Sequence, residues 1–240
     1  MGEEIRVDFN TGSGGGSGAG GSSGGGPPPR VSGIASGADF DYRQLVPSLI
    51  QTAREVLLNP VNFFRSIRRT GDFVNPLVFA IICSLISAVI GGILAFIISV
   101  ATGNGFGGSL GSLIANIILI PIGTAIGLFI WAGIYHLLVL LLIRPRHEGY
   151  EATFRVVAYA AALQLLSWLA YIPILGILVA IALGIYSVVL SVIGIREMHA
   201  TTTGRALAVV LIPVVVLVIL GALLFAAIAA ILFAAFNQAQ

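Results

Sequence analysis

The sequence predicts an all-α fold, a polytopic membrane bundle of about five transmembrane helices preceded by amphipathic interfacial helices, and three observations predict it. Of the 240 residues, 58% are hydrophobic and only 9% charged, with a mean hydropathy of +1.04, whereas about a quarter of the residues in a soluble domain are charged. The apolar residues gather into runs long enough to cross a hydrocarbon core about 30 Å thick, which takes about 20 residues of helix. The arginines fall in every second connection between those runs, the asymmetry that membrane insertion imposes on cytoplasmic loops.

Residues 1–43 read as an unstructured Gly/Ser/Pro-rich cytoplasmic tail. Its centre, TGSGGGSGAGGSSGGGPPPRVSGIASG over 11–37, buries almost nothing apolar to offset the entropy of ordering its backbone. Composition leaves open whether this is a native tail or an added linker. The first ten residues hold acids and no apolar h-region, so no cleavable signal peptide is expected and insertion falls to the internal helices.

Residues 44–74 read as interfacial helices. Ser48, with Gln51 three positions on, has the form of a capping box, and Leu49, Ala53, Val56 and Leu57 recur at helical spacing opposite Gln51, Arg54 and Glu55. Asn59-Pro60 is expected to end this helix and begin another, with Pro at a first position that needs no N–H. The next stretch, VNFFRSIRRTG, mixes Phe63, Phe64 and Ile67 with Arg65, Arg68 and Arg69 until Gly71 stops it. That mixture suits the headgroup layer, where arginine attracts anionic lipid; a solvated charged face is the alternative.

The membrane domain is expected over 75–236. Asn75-Pro76 opens the first span, which runs to about Val100. Leu110 to Ile143 is too long for one perpendicular crossing, so Pro121 is expected to kink it, with the crossing proper over 121–143 and 110–120 tilted or interfacial. Further spans cover about 152–172, 174–195 and 206–236, the third and fourth joined by IPILG. Arg54, Arg65, Arg68 and Arg69 precede span one, Arg144, Arg146 and Arg155 lie between spans two and three, and Arg196 and Arg205 lie between four and five. The connections ATGNGFGGS and YIPILG and the end NQAQ are uncharged. This pattern places the amino terminus in the cytoplasm and the carboxyl terminus outside a cell (plasma or inner) membrane.

The net charge of +2 and pI near 9.0 come with no basic stripe interleaved with aromatics, so no nucleic-acid partner is expected. All 12 basic residues are Arg, and they sit beside the apolar runs as topology signals. Arg65, Arg68, Arg69, Arg144, Arg146, Glu151, Arg155, Arg196 and Arg205 are the candidate contacts to anionic lipid headgroups or a protein partner. Glu151 and Arg155, four apart in the favourable acid-before-base order, are expected to pair on one helix face for about 0.2 to 0.5 kcal/mol. Arg155 is expected to snorkel at the rim of span three, as an anchor or as a partner contact.

Chemistry is sparse. Cys83 is the single cysteine and reads as a buried, inert thiol. His136 is the one imidazole within a span, expected to hydrogen-bond a facing helix; a proton relay would want an intramembrane carboxylate, and none lies inside the runs. His136, His147 and His199 are dispersed, with no HExxH or Cys pair, so no metal or other cofactor is expected. Ser167, Ser187 and Ser191 lack the glycine-rich setting of a serine nucleophile and read as helix contacts. No P-loop occurs, so no enzymatic activity is expected. Trp131, Tyr135, Trp168 and Tyr171 read as packing or interfacial rings. Small residues recur every four positions at Ser84, Ala88 and Gly92, at Gly123 and Gly127, and at Gly176, Ala180 and Gly184, a pattern that lets helices approach closely in lipid, either within the bundle or at a seam between copies.

The order NPVNFFRSIRRTGDFVNPLVF and then GYEATFRVVAYAAALQLLSWLAYIPILGILVAIALGIYSVVLSVIGIREMHATTTGRALAVVLIP resembles the prokaryotic branch of the Yip1 domain family over about residues 55–235. The entry from Gly149-Tyr150 to Phe154, the Ile172-Pro173 turn before Gly176, and the exit from Gly194 to His199 leading to Arg205-Ala206 carry the resemblance. It implies a five-span bundle with a cytoplasmic amino terminus. Eukaryotic relatives act in vesicle traffic and associate with Rab-type GTPases, but an Asp-Leu-Tyr-Gly-Pro motif is missing ahead of span one, where NPVNFF stands, so Rab binding does not carry over. The functional expectation is a non-catalytic protein that organises membrane proteins or lipids; a small transporter or channel, suggested by Pro121, Pro173, Pro213 and His136, is the alternative.

Overall fold

The computed structural model describes residues 39–103, 105–143, 147–172 and 175–238. The expected tail up to residue 38, Pro173, and Arg144 and Arg146 lie outside them. Among the described residues there is helix and no strand.

Order begins earlier than composition suggests. Asp39 and Phe40, counted with the tail by sequence, are part of the packed structure, with Phe40 wholly buried against Phe79 at a ring separation of 5.5 Å. Asp41 then caps a 3-10 turn, Tyr42–Gln44, its Oδ1 accepting the Arg43 N–H at 2.9 Å. Helix α1 spans Leu45–Leu58, so Ser48 lies inside its first turn and does not cap it. Its hydroxyl accepts the Asp41 N–H at 2.8 Å instead, which fastens the incoming chain where a capping box was expected.

Helix α2 spans Pro60–Ser66 with Pro60 in its first turn. The Asn59 side chain makes no capping bond, and the helix ends at Ser66, five residues before Gly71. Helix α3, Val74–Ala101, starts where Asp72 Oδ1 accepts the Asn75 N–H at 3.2 Å.

Helix α4, Phe106–Leu142, runs unbroken through Pro121. At 37 residues and 1.5 Å per residue it is about 55 Å long. The division of this stretch into an interfacial part and a crossing is not made by any break. The third span is the irregular one. Helix α5, Tyr150–Ala160, passes into a 3-10 turn Ala161–Leu163, a single α turn α6, Gln164–Ser167, and a second 3-10 segment Trp168–Tyr171. Helix α7, Leu175–Met198, ends in a Schellman turn: the Thr201 N–H reaches back to the Arg196 carbonyl at 3.0 Å, and Ala200 takes the left-handed φ of 47° that glycine usually supplies. Helix α8, Thr203–Gln238, is continuous through Pro213.

Five of these segments are long and apolar enough to cross a membrane: 74–101, 106–142, 150–171, 175–198 and 203–237. Segment α5 is central and is buried on every side from Ala152 to Tyr159. Only the first turns of α8 pack, through Ala206, Val209, Val210 and Pro213, at the i, i+3, i+4, i+7 spacing of one helix face. From Val215 to Asn237 every residue is exposed, and the side chains there are those that lipid accepts.

Candidate functional site

One end of the bundle collects most of the charged side chains among the described residues, and it is built around Arg155. This arginine is 2% exposed and does not face Glu151. Its Nη1 donates to Asp39 Oδ2 at 2.8 Å and its Nη2 to the Asp72 carbonyl at 3.0 Å. The Asp39 carboxylate also accepts Arg68 Nε at 3.1 Å and the Tyr159 hydroxyl at 3.3 Å. Arg155 Nε is buried with no hydrogen-bond partner.

Glu151 turns instead to the α2–α3 connection, where its Oε2 accepts the Gly71 N–H at 2.8 Å. Gly71 has φ +145°, and a Cβ there would stand 3.0 Å from Arg155 Nη2, so glycine is required by both conformation and space. The expected Glu151 to Arg155 pair and the snorkelling arginine are therefore corrected. Helical spacing offers each residue the other, but fixed backbone groups and a buried carboxylate make better partners in a dry interior than an exposed i,i+4 contact.

The interfacial arginines are drawn into the same end. Arg65 Nε pairs with Glu197 at 3.0 Å and Arg69 Nη1 with Glu148 at 2.9 Å. The hydrogen bond to Glu197 raises the Arg65 pKa above its ordinary value. Arg196 also holds Glu197, at 2.6 Å, and donates to Thr203 Oγ1 at 3.4 Å. Arg205 is exposed in the first turn of α8.

All three histidines converge beside this cluster, although they lie far apart in the chain. His136 Nδ1 and His199 Nε2 both bond Thr153 Oγ1, at 3.1 and 3.0 Å, and His199 Nδ1 accepts the Glu148 N–H at 3.2 Å. The His136 ring lies 6.1 Å from that of His147 and 6.5 Å from that of His199. The backbone N–H settles the direction of the chain. Because His199 Nδ1 must accept, its proton sits on Nε2 and is donated to Thr153, whose own proton is left for His136 Nδ1.

His199 is 2% exposed, and burial, helped by the neighbouring His136, His147 and Arg69, pushes its pKa down to about 4. Both its ring nitrogens are engaged, and among the described residues no group of three or more His, Cys, Asp or Glu is arranged to hold a metal ion. Sequence spacing misses this convergence. The signal was in two short connections assigned to the same side, His147-Glu148 and Glu197-Met198-His199.

The small-residue stripes divide. Ser84, Ala88 and Gly92 are buried in α3, and a Cβ on Gly92 would meet Leu113 of α4. Gly176 is buried against the Ala170 backbone. Gly123, Gly127, Ala180 and Gly184 are exposed on the bundle surface, and added Cβ atoms at the three glycines would meet nothing within 4 Å. Ser167 shares a hydrogen bond with Ser87 of α3 at 2.5 Å.

Five apolar spans, the third of them central and carrying the buried polar groups, define a multi-pass helical membrane protein. The model of the Yip1 domain matches residues 54–236. The chain belongs to the Yip1 domain family. No curated protein and no solved structure matches it.

Proposed function

We propose that this protein is a non-catalytic organiser of membrane proteins or lipids, acting through the charged end of its bundle, which faces the cytoplasm of a cell membrane. The carrying observation is that Arg65, Arg68 and Arg69 tie the α2 region to Glu197, Asp39 and Glu148 in one surface. The Arg65 and Arg68 side chains nevertheless stay 63% and 72% exposed. Their guanidinium groups are therefore open to a further anion, a lipid phosphate or a partner's carboxylate, beside the carboxylates they already hold. Arg196 and Arg205 border the same surface. The outward small residues Gly123, Gly127, Ala180 and Gly184 suit a seam with a second copy or another membrane protein. A non-catalytic role is supported by His199, whose ring is buried and whose nitrogens are both occupied.

Crosslinking in native membranes, followed by native mass spectrometry, tests this reading. The wild-type protein is expected to retain anionic lipid or a stoichiometric protein partner, and the triple variant Arg65→Gln, Arg68→Gln, Arg69→Gln to lose it. Identical retention by both would remove the role assigned to this surface. Transport is the second reading, favoured by the irregular stretch 161–171 within a span, since interrupted helices near mid-bilayer often hold substrate.

A further inference from the structure

Two clefts lie on the flank of the bundle, within the membrane-spanning region. The larger, about 520 Å³, is walled by α4, α5 with its 3-10 continuation, and α7; its polar groups come from Thr124, Tyr135, Gln164, Ser187 and Ser191. The smaller, about 370 Å³, takes Ser87, Thr124, Gln164, Ser167 and Tyr171. Thr124 and Gln164 belong to both. Thr124 is at the centre of helix 106–142, and Gln164 stands in the single α turn between two 3-10 segments, a pattern that often marks a functional hinge.

Four features decide what such a track is for. Its length matters first: on α4 the lining runs from Ile120 to Tyr135, about 22 Å at 1.5 Å per residue, set against a hydrocarbon core of about 30 Å. A site for one bound group needs far less depth. The lining is mostly apolar, with hydroxyls and one amide spaced along it, and it holds no Asp, Glu, Lys, Arg or His. Fixed hydroxyl and amide dipoles can then stand in for the water around a polar headgroup without trapping it in an ion pair, and conduction needs weak binding of that kind. Lastly, the track opens sideways. Gly127 is exposed and Ile130 is 58% exposed on its rim, so in a copy not covered there by another protein, bilayer lipid has direct access to it.

We infer that this track carries phospholipid headgroups between the two leaflets while the acyl chains stay in the surrounding bilayer, so that the protein scrambles lipid. Thr124 and Gln164 form the shared wall between the two clefts, and a headgroup crossing mid-bilayer exchanges one set of hydrogen bonds for the other there. The change is non-covalent and driven by no gradient, so the expected product is an even distribution of lipid.

The test uses the full chain in phosphatidylcholine vesicles carrying a trace of fluorescent phosphatidylcholine, with dithionite added outside. Protein-free vesicles lose the outer half of the signal. Vesicles with the protein are expected to lose nearly all of it. The double variant Thr124→Val, Gln164→Leu is expected to slow the inner-leaflet loss about tenfold, the equivalent of one or two lost hydrogen bonds, whereas Gln164→Asn keeps the amide and most of the rate. Gly127→Phe is the guard against misfolding, because the new side chain starts where nothing lies within 4 Å; it is expected to slow exchange by filling the larger cleft. Protection of the inner half in wild-type vesicles, or an undiminished rate in both the double variant and Gly127→Phe, overturns the inference. Bleaching of a soluble dye trapped inside the vesicles does so as well, since it would reveal an aqueous pore.

Discussion

Arg155 shows how a single side chain can satisfy a sequence rule and still do something else. Helical spacing offers it Glu151, but the structure gives it Asp39, the Asp72 carbonyl and near-complete burial. Breaking one half of a buried pair leaves the other charge uncompensated, at a cost of about 3 kcal/mol or more. Arg155→Met is therefore expected to lower the unfolding midpoint in detergent markedly, and adding Asp39→Asn is expected to restore most of the loss. Equal stability of the single and double variants would mean that Asp39 is held well enough by Arg68 and Tyr159.

His199 predicts a pH effect. Its ring is neutral in the folded and unfolded chain above its ordinary pKa of 6.5; as the pH falls from there toward about 4, only the unfolded chain takes up the proton. Stability therefore falls with pH across that window, by about 1.4 kcal/mol per unit and about 3 kcal/mol in all. Unfolding followed at pH 7 and pH 5 should show about 2 kcal/mol of this loss in the wild type and a flatter dependence in His199→Gln. A dependence of equal slope in both would move the effect to other groups.

Helices reverse the ordinary rule here. The third span has the lowest mean hydropathy of the five, yet α5 is buried from Ala152 to Tyr159. In lipid the outside of a protein is its apolar side, so Thr153, Arg155 and Tyr159 belong in the middle, where the Asp39 carboxylate and the histidines can satisfy them. Glycine placement follows the same packing. A Cβ on Gly194 of α7 would meet Val156 Cγ1 of α5 at 2.5 Å, and a β-branched side chain that is wholly buried has little room to yield. Gly194→Val is expected to cost about 1 to 3 kcal/mol, read as a lowered unfolding midpoint, whereas Gly184→Val, which points into open space, should change it little. A similar loss in both would show that helix propensity, not close approach, sets the effect.

Element existence was legible from apolar run length, and ends were not. Ser48 has the chemistry of a cap, but it lies inside α1, whose own N-cap Gln44 makes no side-chain bond, while Asp41 caps the 3-10 turn ahead of it. Pro121, expected to kink its helix, and Pro213, a possible break in the transport reading, both lie inside continuous helices, because the surrounding apolar run keeps every other backbone group in its helix. The irregular stretch in the third span contains no proline at all, so no local signal marked it.

For the whole molecule, the connections ahead of span one, before span three and between spans four and five meet at one end, joined by Arg65 to Glu197, Arg69 to Glu148 and Glu151 to Gly71. On the proposed orientation, five crossings place the termini on opposite sides of the membrane. A reporter that is active only outside the cytoplasm, fused after Gln240, is expected to work, and activity of a cytoplasm-only reporter at that position would reverse the orientation. Sequence alone determined the number of spans, their approximate limits and the sharing of one side by the basic connections, since lipid solvation and insertion act on composition and order. Only the tertiary structure decided which charges pair, that His136 and His199 meet at Thr153 with His147 beside them, and that uncharged hydroxyls from separate spans line the adjoining clefts. Those contacts join residues up to 132 positions apart, and pairing at that range depends on how helices pack, which no local spacing encodes.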